Sequence, residues 1–280
     1  MLLPASRDGL EARVRTLTQA SLRRSRRVDE VDPNTVRARA TSFDDTAAAY
    51  EFGRPEYPAE ALQWWHDRGA FPRGGVVLDL AAGTGKLTRA LVDRGCDVVA
   101  VEPLPKMRAE FAVVLAQVPI HDGTAEAIPL ADASVDSVFV AQAFHWFDGE
   151  PALAEIARVL RPGGGLGLIW NDDDASVPWV AQYSERKHRA HLDEPLLDAA
   201  DQAAISVHFT GFTDTTCTWT ETTTRARLLA NVLSRSYVSV LPADQRGPIL
   251  DPIEQLLAEQ PEPVLFPHTT YVTWCTKTPS

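Results

Sequence analysis

The sequence lacks the patterns that would place it in a membrane, in a disulfide-bonded scaffold or around a structural zinc ion. Its three cysteines, Cys96, Cys217 and Cys275, form no C-x-x-C pair, which argues against a disulfide framework and against a zinc site. No apolar run approaches the ~20 residues of a membrane-spanning helix, and residues 1–10 lack the apolar core of a secretory signal. We therefore expect a protein of the reducing cytoplasm with no membrane anchor and no bound metal.

Positive charge is scarce outside the first forty residues. The formal net charge is −11, and residues 1–40 hold nine arginines against five acidic residues, so residues 41–280 carry −15. Such a body repels phosphate backbones, and we expect no nucleic-acid partner. Residues 1–35 have no strong apolar period, which predicts a flexible tail before a folded domain at 36–280. A nucleic-acid-binding arm or a transit peptide is the alternative for this basic segment.

Strand and helix patterns alternate through the middle of the chain. Short apolar runs predict strands at 76–80, 97–101, 118–121, 135–141 and 166–170. Alternation with helices is typical of a parallel, doubly wound α/β sheet.

Two later segments, 216–221 and 269–276, alternate as strands do, and helix patterns at 223–241 and 248–259 lie between them. We expect these strands to extend one edge of the sheet and the helices to form a cap at about 222–266.

The residues with the clearest chemical meaning follow the first predicted strand, at Asp79-Leu-Ala-Ala-Gly-Thr-Gly85. A turn of small residues before a helix lets backbone N–H groups approach a ligand. Glu102 ends the next strand, where a carboxylate accepts both hydroxyls of a ribose. A dinucleotide-binding G-x-G-x-x-G motif needs a third glycine, but Thr88 occupies that position. Because Asp79 suits a cationic amino-acid ligand and repels a pyrophosphate, the turn favours a nucleoside with a cationic amino-acid group over a nicotinamide dinucleotide.

Further motifs accompany this turn. They are Glu102-Pro103, Gly123-Thr-Ala-Glu-Ala-Ile-Pro129, Ser134-Val-Asp136, Ala143-Phe-His-Trp-Phe-Asp148 and Glu155-Ile-Ala-Arg-Val-Leu-Arg-Pro-Gly-Gly164. Residues 41–172 resemble the class I S-adenosylmethionine-dependent methyltransferases, in particular the ubiquinone/menaquinone-biosynthesis and trans-aconitate methyltransferase group. Tyr50 and Arg54-Pro-Glu-Tyr-Pro58 are similar to the N-terminal segment of the trans-aconitate type. The resemblance implies a Rossmann-like α/β fold, with a seven-stranded, mostly parallel sheet, an antiparallel edge and a helical cap insertion.

The resemblance also implies which residues contact the cofactor, S-adenosylmethionine. The turn lines its methionine half, Glu102 holds the ribose hydroxyls and Gln142 lies under the sulfonium. Ala81 replaces the usual glycine, and Thr124 replaces an acidic residue that often contacts adenine, so we expect weaker hydrogen bonding there. The full set is Tyr50, Arg54, Asp79, Ala81, Gly83, Gly85, Glu102, Pro103, Met107, Thr124, Ala125, Glu126 and Gln142.

Methyl transfer from a sulfonium needs alignment and water exclusion, and it needs a base only when the acceptor arrives protonated. His145, just after the fourth predicted strand, is the candidate base, with packing against Trp146 or Phe147 as the alternative. Arg54 suits a carboxylate of the cofactor or of an acidic acceptor, or a solvated surface position. The candidate acceptor contacts are Trp146, Trp170, Asn171, Arg235 and Tyr237.

These patterns predict transfer of a methyl group from S-adenosylmethionine to an oxygen, nitrogen or carbon of a small molecule. A small carboxylic acid and a natural-product or quinol-like compound are the candidate acceptors, and the enzyme is expected as a monomer or homodimer. The alternatives are an NAD-dependent oxidoreductase and a non-catalytic protein that binds S-adenosylmethionine.

Overall fold

The structure, a computed structural model, describes residues 47–188 and 205–279, so the predicted tail at 1–35 lies outside the described residues. The helices are α1 (Ala47–Gly53), α2 (Ala59–His66), α3 (Lys86–Val92), α4 (Pro105–Val114), α5 (Gly149–Val159), α6 (Pro178–His188), α7 (Arg225–Leu233), α8 (Ser236–Ser239) and α9 (Gly247–Ala258). The strands are β1 (Val76–Leu80), β2 (Asp97–Val101), β3 (Ile120–His121), β4 (Val135–Ala141), β5 (Leu160–Asp173), β6 (Phe209–Thr223) and β7 (Val264–Lys277). Within these ranges no helix is both long enough and apolar enough to cross a membrane.

The described residues form one seven-stranded sheet in the order β3-β2-β1-β4-β5-β7-β6. Strands β1 to β5 run parallel, whereas β7 pairs antiparallel with both β5 and β6. The predicted sheet, mostly parallel with an antiparallel edge, is confirmed. The strand order reverses between β1 and β4, so a crevice opens at their carboxyl ends, where sheets of this kind bind ligands.

Apolar side chains cover both faces of the sheet, as parallel strands require. Leu78 and Val138 belong to the core on one face, and Val77 belongs to the core on the other. Trp65 of α2 is fully buried in the second core and donates its Nε1–H to the carbonyl oxygen of Thr273 at 2.8 Å. This bond fastens α2 to the antiparallel side of the sheet.

A third apolar cluster lies beyond the sheet and forms the core of a helical cap. It joins α6, α7, α8 and α9 to the start of β7, through residues such as Tyr183, Val232 and Ile253. Thr223 at the end of β6 pairs with Val264 at the start of β7. The chain therefore leaves and rejoins the sheet at adjacent positions, with α7, α8 and α9 inserted between.

The predicted continuous helix at 223–241 is wrong, because the chain breaks after Leu233. Arg235 is extended there, with φ −73° and ψ 136°. The hydroxyl of Ser234 donates to the carbonyl oxygen of Asn231 at 2.8 Å, and Arg54 donates to the carbonyl oxygen of Ser234 at 3.3 Å. In a continuing helix, the carbonyl oxygen of Ser234 would accept a backbone N–H from the next turn. Here the guanidinium of Arg54, which follows α1, donates to it instead.

Strand lengths also differ from the prediction wherever polar residues extend a ladder. β5 continues beyond the predicted 166–170 to Asp173, which pairs with His268 of β7. Apolar runs mark only the buried middle of such a strand, since polar residues at its ends pair equally well through the backbone. β3 is conversely shorter than the predicted 118–121.

Gly53 provides a test of how closely α1 approaches the cap. A Cβ at this position would lie 2.5 Å from the carbonyl carbon of Ala230 in α7. Gly53→Ala is therefore expected to lower the free energy of unfolding by about 1–3 kcal/mol through overpacking, measured by urea denaturation. Gly247→Ala is the control, because its nearest neighbour atom would lie 3.7 Å away. Equal stabilities of the two variants would contradict close packing of α1 against α7.

Candidate active site

The candidate site lies at the carboxyl ends of β1, β2, β4 and β5, beneath α1 and the cap. The turn after β1 adopts the left-handed conformation three times, at Ala81 (φ 58°), Gly83 (φ 56°) and Gly85 (φ 91°). A Cβ at Gly85 would lie 2.6 Å from Leu115 Cδ1, so this position requires glycine. Ala81 adopts the same conformation with a Cβ, at a cost of about 1–2 kcal/mol.

Glu102 joins this turn to the end of β2. Its side chain is buried, and its two carboxylate oxygens accept the N–H groups of Gly83 and Leu104, each at 2.9 Å. These two hydrogen bonds hold the carboxylate in one orientation. Of the residues predicted beside it, Met107 is buried and Pro103 is exposed.

Asp79 lies at the end of β1 and is 1% exposed. The hydroxyl of Thr88 donates to its Oδ2 at 2.5 Å. Burial, with a smaller contribution from the charge of Glu102, raises the pKa of Asp79 to about 7, even though the hydrogen bond from Thr88 lowers it. The carboxyl group is therefore poised to ionise when a cation enters the crevice.

The segment predicted to contact adenine lies after β3. Thr124 is exposed and forms a backbone bridge with Ala127, and Ala125 is buried. Glu126 accepts the N–H of Asp148 at 2.9 Å. The side chain of Glu126 therefore fixes the loop after β4 as well as bordering the predicted adenine position.

Gln142 and Asn171 connect the ends of β4 and β5. Gln142 has φ 56° and donates its side-chain amide to the carbonyl oxygen of Asn171 at 2.9 Å. Asn171 in turn donates to the carbonyl oxygen of Glu56 at 2.9 Å and accepts the hydroxyl of Thr270 at 2.6 Å. The amide of Asn171 thus holds the segment after α1 on the sheet edge.

The aromatic residues predicted near the acceptor differ in exposure. His145 and Trp146 lie in a 3-10 turn at 144–146 and are partly exposed, with ring centroids 4.7 Å apart. Trp170 is 2% exposed and belongs to the core on one face of the sheet. His145 therefore makes the aromatic contact that its alternative interpretation expects, and its role as a base stays a prediction.

Helix α1 covers the glycine turn. The hydroxyl of Thr84 donates to Glu51 Oε2 at 2.5 Å, and Arg89 of α3 donates to Glu51 Oε1 at 2.8 Å. Tyr50 lies above the turn, with its Cε1 atom 4.0 Å from where a Cβ of Gly83 would stand. Glu51 and Tyr50 of α1 thus cover the glycine turn from the side opposite the sheet.

Arg54, just after α1, points into the cap. It is 9% exposed, its guanidinium carbon lies 4.8 Å from the centroid of the Tyr50 ring, and its Nε donates to the hydroxyl of Ser234 at 3.0 Å. Burial and, to a smaller extent, the charge of Arg235 together lower the pKa of Arg54 to about 10. Arg235 donates from Nη2 to Asn231 Oδ1 at 3.3 Å.

A buried ion pair completes the cap side of the site. Lys187 is fully buried and pairs with Asp173 at the end of β5. Burial lowers the pKa of Lys187 to about 8, whereas Asp173 raises it. Tyr237 is one of the residues predicted to contact the methyl acceptor. Its hydroxyl donates to the backbone carbonyl oxygen of Lys187 at 2.5 Å, and this bond holds α8 to α6.

Sequence reasoning missed several of the residues that shape this site, namely Glu51, Thr88, Asp173, Lys187 and Ser234. Only Thr88 carried a usable signal, because it occupies the position of the absent third glycine, one turn into α3 and facing Asp79. The others act through partners far away in the chain, which periodicity does not indicate.

Comparison with known proteins agrees with this geometry. A family model described as "Methyltransferase domain" matches residues 78–168. An uncharacterized methyltransferase of Mycobacterium tuberculosis is 46% identical over 220 residues, covering 79% of this chain and 87% of its own. A demethylmenaquinone methyltransferase of Renibacterium salmoninarum is 33% identical over 181 residues, covering 62% and 71%.

The solved structure of the YcgJ protein from Bacillus subtilis shares the fold, with a TM-score of 0.53 at 19% identity, covering 80% of this chain and 100% of its own. The sheet order, the glycine turn with its two acidic neighbours and the relative from Mycobacterium tuberculosis lead to one assignment. The chain belongs to the class I S-adenosylmethionine-dependent methyltransferases.

Proposed function

We propose that this enzyme binds S-adenosylmethionine along the carboxyl ends of β1, β2 and β4 and methylates a small molecule held beneath the cap. The observation that carries the proposal is the Glu102 carboxylate, buried and oriented by the N–H groups of Gly83 and Leu104. A fixed carboxylate at the end of the second strand accepts both hydroxyls of a ribose. Adenine then extends toward Thr124, Ala125 and Glu126, with Pro103 and Met107 beside the nucleoside.

The charges around the turn match the two ends of the methionine group. Asp79 lies on the sheet side, where its ionised form suits an ammonium group. Arg54 lies on the α1 side, where its guanidinium suits a carboxylate. Tyr50 covers the turn between them, and Gln142 borders the position expected for the sulfonium.

S-adenosylmethionine supplies an electrophilic methyl group and a neutral thioether leaving group. The protein aligns the acceptor with the methyl group and excludes water, which are the main requirements of an in-line displacement. The cap residues Arg235 and Tyr237, with Trp146, Trp170 and Asn171 near the sheet edge, are the proposed acceptor surroundings. His145 stays the candidate base for an acceptor that arrives protonated.

Two features disfavour the nicotinamide alternative. Thr88 occupies the position of the third glycine of a dinucleotide motif, and its hydroxyl is engaged with Asp79. A pyrophosphate at this turn would also face the carboxylates of Asp79 and Glu102, which repel it. A small carboxylic acid or a quinol-like compound remains the proposed acceptor class, with the enzyme acting as a monomer or homodimer. The thiols of Cys96, Cys217 and Cys275 are free, which supports the reducing cytoplasm as its compartment.

Glu102→Ala tests the cofactor assignment. The variant loses the acceptor of two ribose hydroxyls, so affinity for S-adenosylhomocysteine is expected to fall by roughly 2–3 kcal/mol, measured by titration calorimetry. Glu254→Ala, which removes an exposed carboxylate from α9, serves as the control and should bind normally. Binding of NAD by the wild-type enzyme, with neither sulfur nucleoside bound, would refute the proposal.

The pKa of Asp79 predicts a pH dependence of binding. Below pH 7 this carboxyl group is protonated and neutral, so an ammonium ligand must displace a proton. Affinity for S-adenosylhomocysteine should therefore fall about tenfold per pH unit below 7 and level off above it. Calorimetry between pH 5.5 and 8.5 measures the slope.

Two variants show whether Asp79 is the group responsible. Asp79→Asn should bind weakly with little pH dependence over this range. Thr88→Val removes the hydroxyl that lowers the pKa of Asp79 and should move the midpoint upward. An unchanged pH profile in Asp79→Asn would exclude contact between this carboxylate and the ammonium group.

A further inference from the structure

The helix that covers the glycine turn, α1, depends on other parts of the chain for its position. It has seven residues, and isolated helices shorter than about twelve residues are only marginally stable in water. Its middle is fixed on the turn, where Thr84 and Arg89 donate to the two carboxylate oxygens of Glu51. A helix end leaves carbonyl oxygens without intrahelical donors, and α1 has no basic residue in its own last turn. The donors for that end must therefore come from elsewhere.

Helix α7 supplies two donors, from residues that are one turn apart. Arg227 donates from Nε to the carbonyl oxygen of Phe52 at 3.1 Å, and Asn231 donates from Nδ2 to the carbonyl oxygen of Gly53 at 3.3 Å. Residues four positions apart lie on one face of a helix, so one face of α7 receives the end of α1. Arg227 also brings a positive charge, which is favourable at the C-terminal end of a helix dipole.

Glu221, near the end of β6, holds the guanidinium of Arg227 in this position. Arg227 Nη2 lies 3.2 Å from Glu221 Oε1, and the Glu221 side chain is 13% exposed. The other oxygen, Oε2, lies 3.3 Å from His268 Nε2. Because a guanidinium is planar and rigid, Arg227 cannot turn away from Glu221 without also moving the Nε–H that reaches Phe52.

The strand register places His268 beside Glu221. Trp219 of β6 pairs with His268 of β7, and side chains two residues apart lie on the same face of a strand, so Glu221 and His268 are diagonal neighbours. The rings of Trp219 and His268 stack with centroids 4.6 Å apart, and His268 is 4% exposed. A carboxylate can only accept a hydrogen bond, so the imidazole donates from Nε2. His268 thus fixes the oxygen of Glu221 that does not contact Arg227.

These contacts connect the antiparallel side of the sheet to the glycine turn. An ion pair removed from water adds little stability compared with apolar side chains of similar size, so its main contribution here is the placement of Arg227. We propose that Glu221 and His268 are positioning residues of the cofactor site, which hold Arg227 on the end of α1 and so keep Tyr50 and Glu51 over the glycine turn. This inference rests on the proposed function, because that function places the cofactor at the turn.

Arg227→Ala tests the contact with α1. When a binding-competent arrangement is populated only part of the time, the apparent affinity falls by that fraction. Affinity for S-adenosylhomocysteine should therefore fall about tenfold in this variant, measured by titration calorimetry. Arg225→Ala is the matched control, because it removes an arginine of the same helix that pairs with Glu262 instead, and it should bind normally. Equal affinities of the two variants would refute the role of Arg227.

A double variant shows whether Glu221 acts through Arg227. Glu221→Gln keeps the size of the side chain, removes its charge and should weaken binding about fivefold. Added to Arg227→Ala, the same change should cause no further loss, because two residues that act through one contact have non-additive effects. Additive losses, or wild-type affinity in Glu221→Gln, would overturn the proposal.

Two replacements of His268 separate its hydrogen bond from its packing. His268→Phe keeps a ring against Trp219 but removes the nitrogen that contacts Glu221, whereas His268→Gln keeps an N–H donor. The Phe variant should bind S-adenosylhomocysteine about threefold more weakly than wild type, and the Gln variant should recover most of that loss. Thermal unfolding midpoints check that both variants are folded. A larger loss in the Gln variant than in the Phe variant would exclude His268 from the proposal.

Hydrogen exchange in the ligand-free protein distinguishes this inference from the proposed function. The amides of residues 51–54 should exchange about fivefold faster in Arg227→Ala and Glu221→Gln than in wild type, while those of β4 stay unchanged. Failure of the wild-type enzyme to bind S-adenosylhomocysteine would contradict the proposed function, and the exchange rates would still decide whether Arg227 and Glu221 hold α1. Unchanged exchange at α1 in both folded variants would refute the inference.

Discussion

The docking of α1 is the constraint on which the rest of the site depends. Glu51 fastens this helix to the glycine turn through Thr84, and Gly53 allows it to lie against α7. Arg54 then reaches from its end into the break of the cap helices. One short helix thus sets the distance between the sheet edge proposed to hold the cofactor and the cap proposed to surround the acceptor.

Charge is distributed across the crevice in a way that suits a zwitterionic ligand. The sheet edge contributes the carboxylates of Asp79 and Glu102, whereas α1 and the cap contribute the guanidinium groups of Arg54 and Arg235. Because Asp79, Glu102 and Arg54 are buried, their charges act on a ligand more strongly than they would at the surface. Burial raises the pKa of Asp79 and lowers the pKa of Arg54, because in each case it disfavours the charged form.

The sheet could be predicted from the sequence because its central strands are apolar runs of the correct length. β1, β2 and β4 begin and end where the sequence places them. The turn residues and Glu102 could be located for the same reason, since they directly follow such runs. The break at Ser234 could not, because its cause is Arg54, 180 positions earlier in the chain. The hydrogen-bond partners of Asn171 in Glu56 and Thr270 are also far away in the chain. The sequence therefore did not indicate that its side chain links these segments.

The pairing of Thr223 with Val264 has a consequence for how such enzymes diverge. The two strand ends that carry α7, α8 and α9 stand side by side, so the inserted segment begins and ends at almost one point of the sheet. Residues can be added to or removed from that segment without changing the ladder below it. A lineage can therefore acquire a new acceptor by altering the insert, while the cofactor half is inherited intact. The contacts with α1 and α6 limit this freedom, because any new insert must still accommodate them.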